Sequence, residues 1–180
     1  PHPVTITLAG VDDNAAISGV TSGSVNEDQS VVGGLLNAMG VAIATDPDAG
    51  QSGFQPANVA GAYGTVTIDA AGNWSYSADN SALAIQSLNQ GQTITDVVTV
   101  TTIGGDEVQI SITIVGENDA PVVADPVPNM TLADGETTSI SMAGRFADVD
   151  QGPDSFTYLA SGLPAGLSID AATGEISGTL

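Results

Sequence analysis

The sequence predicts an all-β fold of tandem β-sandwiches, the second of them lacking its last strands. Three observations lead there. β-Branched residues alternate with period two along much of the chain, Gly- and Asp-rich turn segments separate the alternating runs, and the sequence repeats itself after roughly 100 residues.

The alternating runs are Val4-Thr5-Ile6-Thr7-Leu8, Thr65-Val66-Thr67-Ile68, Thr93-Ile94-Thr95, Val97-Val98-Thr99-Val100-Thr101 and Val108-Gln109-Ile110-Ser111-Ile112-Thr113-Ile114. Each reads as a half-buried antiparallel strand with Thr on its outer face, where it favours extended backbone and adds no charge. The interruptions carry turn chemistry: Asp69-Ala70-Ala71-Gly72-Asn73, Asn89-Gln90-Gly91 and Ile103-Gly104-Gly105-Asp106. One helical stripe stands out, Ala82, Leu83, Ile85 and Leu88, and predicts one or two turns between Ser81 and Leu88.

The repeat shows in three features that recur in order. Ile6-Thr7-Leu8-Ala9-Gly10-Val11-Asp12-Asp13 returns as Ile112-Thr113-Ile114-Val115-Gly116-Glu117-Asn118-Asp119; Asp46-Pro47-Asp48 as Asp148-Val149-Asp150; and Ile68-Asp69-Ala70-Ala71-Gly72 as Ile169-Asp170-Ala171-Ala172-Thr173-Gly174. A period near ~100 residues of short strands is the size of an immunoglobulin-like sandwich. The units read as 1–17, the last strand of a preceding repeat plus a linker; 18–116, a complete sandwich; 117–121, a linker; and 122–180, a sandwich expected to lack its last two strands. The chain then looks like an internal piece whose export signal lies outside it. An unfinished sandwich leaves open sheet edges, so Val4 to Leu8 of one molecule is expected to complete a neighbour's second unit, head to tail.

Charge restricts function next. Twenty-one acidic side chains face a single cation, Arg145, for a formal charge of −20. Such a surface repels phosphate backbones and anionic headgroups, which argues against nucleic-acid binding and electrostatic membrane attachment. No run of about 18 apolar residues is present to insert into a bilayer. The absence of Cys excludes disulfides, thiolate metal sites and a Cys nucleophile, and leaves bound metal as the substitute crosslink for a secreted chain. The 42 % apolar content is enough for a packed core and sets the chain apart from disordered acidic tails.

The acids are not scattered. Strand alternation in a seven-strand sandwich places Asp46 and Asp48 beside the incoming linker Asp12-Asp13-Asn14, and Glu27, Asp28 and Asp96 near the opposite end. The outgoing linker Glu117-Asn118-Asp119 leads to the second unit's Asp148 and Asp150. Crowded carboxylates without cations raise one another's pKa values, and a hard divalent ion reverses that cost. Ca²⁺ takes ~6 to 8 oxygens from carboxylates, amides and backbone carbonyls, whereas softer metals want the His and Cys that are missing. The predicted calcium ligands are therefore Glu27, Asp96, Glu117, Asn118, Asp119, Asp148 and Asp150, with Asp12, Asp13, Asp46 and Asp48 at the incoming linker; Asp125, Asp134 and Asp154 are further candidates. Asp46-Pro47-Asp48-Ala49-Gly50 is not an EF-hand loop, because the Glu at position 12 is absent.

No catalytic machinery is legible. A hydrolytic triad needs a base, and the one His, His2, sits between two prolines. Asp46 and Asp48 fall in a short exposed loop with no evident cleft for glycoside hydrolysis. Tyr63, Trp74 and Tyr76 offer either a sugar-binding platform or ordinary core, and their alternation about a hairpin favours core.

Residues 19–120, through Gly23-Ser24-Val25-Asn26-Glu27-Asp28, Thr45-Asp46-Pro47-Asp48-Ala49-Gly50, Phe54-Gln55-Pro56, Tyr63-Gly64-Thr65, Asp69-Ala70-Ala71-Gly72-Asn73-Trp74-Ser75-Tyr76 and Gly116-Glu117-Asn118-Asp119-Ala120-Pro121, resemble a VCBS repeat. These are bacterial cadherin-like modules found in tandem in large surface adhesins, including RTX adhesins of Gram-negative bacteria. Residues 121–180 resemble the dystroglycan-type cadherin-like family, through Phe146-Ala147-Asp148-Val149-Asp150, Gly162-Leu163-Pro164-Ala165-Gly166-Leu167 and Gly174-Glu175-Ile176-Ser177-Gly178-Thr179. One departure is the stretch Thr102-Ile103-Gly104-Gly105-Asp106-Glu107, where VCBS repeats carry an Asp-Gly-rich loop.

The resemblance implies interdomain calcium, with Glu27, Asn118, Asp119, Asp148 and Asp150 on the family's pattern, and adjacent repeats of the same polypeptide as partners. It implies a non-catalytic extender of an extracellular adhesin on a bacterial cell surface, serving cell adhesion and biofilm formation. The alternative is an accessory module that binds carbohydrate or protein through an exposed face.

Overall fold

The computed structural model describes residues 2–150 and 156–180, and the chain divides into two compact units, Pro1–Glu117 and Asn118–Leu180. Both are all-β. The one helix among the described residues is a single turn, α1 (Leu83–Gln86), which buries Ile85 and leaves Leu83 exposed.

Eight strands make the first unit: β1 (Ala16–Gly19), β2 (Ser22–Asn26), β3 (Leu35–Thr45), β4 (Ala57–Ala60), β5 (Gly64–Ile68), β6 (Asn73–Asp79), β7 (Thr93–Thr101) and β8 (Glu107–Val115). One sheet has the order β1-β3-β6-β5-β4 and is antiparallel throughout; the other has the order β2-β8-β7, with β2 parallel to β8. β1 and β2 are two halves of one edge that changes sheets. The Val20 N–H still donates to Val41 O at 2.7 Å in the first sheet, and Thr21 O already accepts the Ser111 N–H at 3.0 Å in the second. Gly19 makes the crossing with φ at 79°, where a Cβ would stand 2.4 Å from Val41 O, so both backbone conformation and space require glycine.

The alternation read from sequence is what the sandwich buries. Val98 and Val100 of β7 and Val108, Ile110, Ile112 and Ile114 of β8 face Leu36, Ala42, Val66, Ile68, Trp74 and Tyr76 of the other sheet in one cluster. Two separately predicted runs merge into β7, and the residue that joins them, Asp96, lies on its buried face. Between β5 and β6, Asp69 closes the turn by accepting the N–H groups of Ala71 and Asn73, both at 2.9 Å, while Gly72 takes φ 83°.

The first predicted strand is one expected to pair with another molecule, and among the described residues of this chain it has no partner. Residues 4–8 form no strand here, and Val4, Ile6 and Leu8 are 85 %, 80 % and 92 % exposed. Alternation supplies a face to bury, but a strand also needs a neighbour to receive its N–H and C=O groups, and the described residues provide none for this segment.

The second unit holds β9 (Val122–Val123), β10 (Thr137–Ser141), β11 (Phe146–Ala147), β12 (Leu167–Ile169) and β13 (Glu175–Thr179). β10-β13-β12 form one antiparallel sheet and β9 pairs with β11. Phe146, Phe156 and Tyr158 pack mutually, with ring centroids 6.1 to 6.4 Å apart. The repeated turn recurs: Asp170 Oδ1 accepts the N–H groups of Ala172 and Thr173 at 2.9 and 2.8 Å.

Candidate cation-binding carboxylates

The first group lies where the chain leads into the first unit. Asp46 follows directly on the long strand β3, and the loop it opens is pinned by Asp46 N–H to Ser52 Oγ at 3.0 Å and by Gln51 N–H to Asp48 O at 3.2 Å. Asp46 Oδ1 accepts the Asp48 N–H at 2.7 Å, and Asp48 Oδ2 accepts the N–H of Asp13 at 2.8 Å. The sequence-predicted Asp13, Asp46 and Asp48 are thus together, and the exposed Asp12 adjoins them in the chain. Asp106, in the β7–β8 turn, joins from a distance of 91 residues by accepting the Ala15 N–H at 2.8 Å.

The second group closes the other end of the same unit. Glu27 is fully buried; Oε1 accepts Gln86 Nε2 at 2.9 Å and Oε2 the Glu117 N–H at 3.2 Å. The Glu117 carboxylate accepts Gln29 Nε2 at 2.5 Å, Asn26 Nδ2 at 3.4 Å and Gln90 Nε2 at 2.8 Å. Asp28 accepts Asn80 Nδ2 at 2.6 Å and Gln86 Nε2 at 3.2 Å. Glu27 and Glu117 are brought together as predicted, and the side chains around them are neutral amides, whose oxygens are cation ligands when the group turns over.

The third group, in the second unit, repeats the first. Asp148 Oδ1 accepts the Asp150 N–H at 3.2 Å, and Asp150 Oδ2 accepts the N–H of Asp119 at 3.0 Å. Asn118 Nδ2 donates to Asp119 O at 2.6 Å. The lone cation goes elsewhere: Arg145 Nη1 pairs with Asp125 Oδ2. Asp134 is exposed, and Asp154 lies outside the described residues.

Asp96 is the predicted ligand that the structure assigns to a different task. It is fully buried, and its two oxygens accept the N–H groups of Ala62, Tyr63 and Gly64 at 2.7, 3.0 and 2.8 Å and the Tyr76 hydroxyl at 2.9 Å. Four donors, one on Oδ1 and three on Oδ2, occupy the carboxylate and hold the β4–β5 turn onto β7. Burial, with this carboxylate beside it, keeps the Tyr76 hydroxyl protonated far above its ordinary range.

Whether calcium fits is answered by atoms left over. Asp46 is 9 % exposed and Asp150 8 %, and one buried oxygen of each, Asp46 Oδ2 and Asp150 Oδ1, has no donor; the same holds for the buried Gln51 Oε1. A buried acceptor without a donor costs about 1–3 kcal/mol, more when charged, and a hard cation removes that cost. Among the described residues no three His, Cys, Asp or Glu side chains converge closely enough to hold a metal by themselves, so other oxygens must share the work. Sequence reasoning missed Gln51 and gave Asp106 no role in binding; the signals available were the oxygen-rich stretch from Asp46 to Ser52 and the acid in the last hairpin turn.

The aromatic platform does not form from Trp74 and Tyr76, which are buried in the core, where Trp74 Nε1 donates to Val20 O at 2.7 Å. Among the described residues no helix is long and apolar enough to cross a membrane.

The family model "Bacterial cadherin-like domain" matches residues 12–116, and the model "Putative Ig domain" matches residues 120–180. Modules of both kinds are typically non-catalytic and structural. Comparison with curated proteins finds no match. Among solved structures, the chain is similar to a mouse protein described as clustered PcdhgC3 EC1-3, at 17 % identity and a TM-score of 0.43, over 92 % of this chain and 56 % of that one. The chain thus spans little more than half the length of that relative.

Proposed function

Because this chain belongs to the bacterial cadherin-like domain family, we propose that it is a calcium-stiffened structural extender of a secreted bacterial surface adhesin, of the VCBS and RTX kind, working in cell adhesion and biofilm formation. The observation that carries the reading is the pair of buried carboxylate oxygens without donors, Asp46 Oδ2 and Asp150 Oδ1, in the two copies of one repeated motif. Bound calcium would supply the positive charge that a chain of net charge −20 lacks.

The chain's own residues set what that charge does. Asp13 and Asp119 belong to the segments that lead into the two units, and each is tied by its backbone N–H to the second Asp of its unit's Asp-x-Asp motif. Neutralising Asp46 with Asp48, and Asp148 with Asp150, removes the repulsion that works against those ties, so the leading segments become ordered parts of their units. Glu27 and Glu117 are the further ligands proposed in the first unit and Asn118 in the second; Asp96, which already accepts four donors, is not among them. A row of such units projects a distant tip from the cell, and the exposed Thr faces of the strands need only stay soluble.

Melting and small-angle scattering of the whole chain, with calcium and with EDTA, test the reading. Calcium is expected to raise the melting temperature and reduce flexibility, and EDTA to reverse both. Identical curves in the two conditions defeat it.

A further inference from the structure

We propose that the β3–β4 loop and the β7–β8 turn form a divalent-cation site within the first unit, in which the side-chain carbonyl of Gln51 is a ligand beside Asp46 and Gly104 leaves the room that carbonyl occupies. The inference rests on the calcium reading above and adds residues that the repeated carboxylates do not include.

Gln51 Oε1 and Asp46 Oδ2 are both buried and both without a donor, and Asp46 is 9 % exposed. They face one spot: a Cβ on Gly104 would stand 2.6 Å from Gln51 Oε1 and 3.2 Å from Asp46 Oδ2. With the Gln51 amide in this orientation the two acceptors cannot satisfy each other. Their partner is a cation or a species that donates to both, and the hard cations take amide carbonyls together with carboxylates. A neutral oxygen has a further advantage here, because it fills a coordination position without adding to the repulsion among Asp46, Asp48 and Asp106. It also answers the shortage of converging acids among the described residues.

The surroundings connect the site to the segment before it. Asp48 and Asp106 accept the N–H groups of Asp13 and Ala15 at 2.8 Å each, so loop and turn grip residues 13–15 between them. The Asp106 N–H in turn donates to the buried Thr102 Oγ1 at 2.9 Å, which anchors the turn to the end of β7. Asp48 and Asp106 are positioning residues in this arrangement, and Asp46 and Gln51 present the open oxygens.

Gly104 separates binding from folding. An alanine there collides with the far end of a flexible side chain and not with backbone, so Gly104→Ala displaces the Gln51 oxygen at little cost to the fold.

The test is calcium titration of the whole chain by isothermal calorimetry, with melting followed by the fluorescence of Trp74, the single Trp, which lies in the first unit. Gln51→Leu is expected to weaken one calcium-binding event about tenfold or more and to shrink the calcium-dependent rise in the Trp74 melt. Gly104→Ala is expected to do the same while melting as the unaltered chain does in EDTA. Gln51→Glu, which keeps an oxygen in place, is expected to retain binding. If the unaltered chain binds calcium and Gln51→Leu and Gly104→Ala bind it equally well, a water molecule satisfies the two oxygens and the inference is overturned with the calcium reading intact. If the unaltered chain binds no calcium, both fall.

Discussion

Asp119 donates its backbone N–H to Asp150 Oδ2 at 3.0 Å, repeating inside the second unit the bond from Asp13 to Asp48 Oδ2 in the first. Each unit therefore holds its leading segment through the second Asp of its Asp-x-Asp motif. Asp150→Ala removes both that acceptor and the open Oδ1. The calcium-dependent stabilisation of the second unit is expected to vanish, with a further loss of about 1–3 kcal/mol from the missing hydrogen bond. Trp74 fluorescence should be unchanged, because the first unit stays folded; calorimetric melts with and without EDTA check both points.

Asp96 calls for the opposite result. Asp96→Ala strips the acceptor from three backbone N–H groups and from the buried Tyr76 hydroxyl. A loss of about 3–5 kcal/mol in the first unit is expected, and of the same size in calcium and in EDTA. Urea unfolding followed at Trp74 measures it. A loss seen only in calcium would return Asp96 to the set of metal ligands.

Gly40 lies under the indole of Trp74, where an added Cβ would stand 2.6 Å from Cζ2 and 2.9 Å from Val20 Cγ1. The Trp74 ring is 2 % exposed and packed in the core, so Gly40→Ala is expected to cost about 1–3 kcal/mol. The bond from Trp74 Nε1 to Val20 O at 2.7 Å should lengthen as well, and a red shift of the Trp emission reports it.

The two repeated turns set a response to acid. The Asn73 side chain, followed by the backbone N–H groups of the turn, holds the Asp69 carboxyl below its ordinary value; the N–H groups of Thr173 and Ala172 do so for Asp170. A carboxyl with a lowered folded pKa adds stability that is fully present above the unfolded value near ~3.9 and is lost as pH falls through the folded one. Unfolding midpoints measured from about pH 5 downward should fall less steeply for Asp69→Asn than for the unaltered chain. Parallel curves would show that the turn carboxylate does not contribute.

Much of this protein was legible because its patterns are local. Alternation at Val108 to Ile114 predicts β8 and its buried face, since side chains in a strand change sides at every residue. Asp69 and Asp170 mark their turns because the donors they accept lie within four residues. Val4 to Leu8 shows the limit of the same reasoning: its alternation equals that of β5, yet pairing is a property of two segments and one alone cannot reveal it.

By itself the sequence determined the all-β class, the repeated units and the acids that recur in both, because periodicity, turn residues and self-similarity are written along the chain. Only the tertiary structure decided what each acid does. Asp96 and Asp46 are both buried carboxylates, and they differ in what approaches from elsewhere: three N–H groups and a hydroxyl at Asp96, and an acceptor of the same kind, Gln51 Oε1, near the open side of Asp46. A carboxylate filled by donors serves the fold, and one facing other oxygens is open to a cation. The donors that fill Asp96 come from 20 to 34 residues away, beyond the reach of any local pattern.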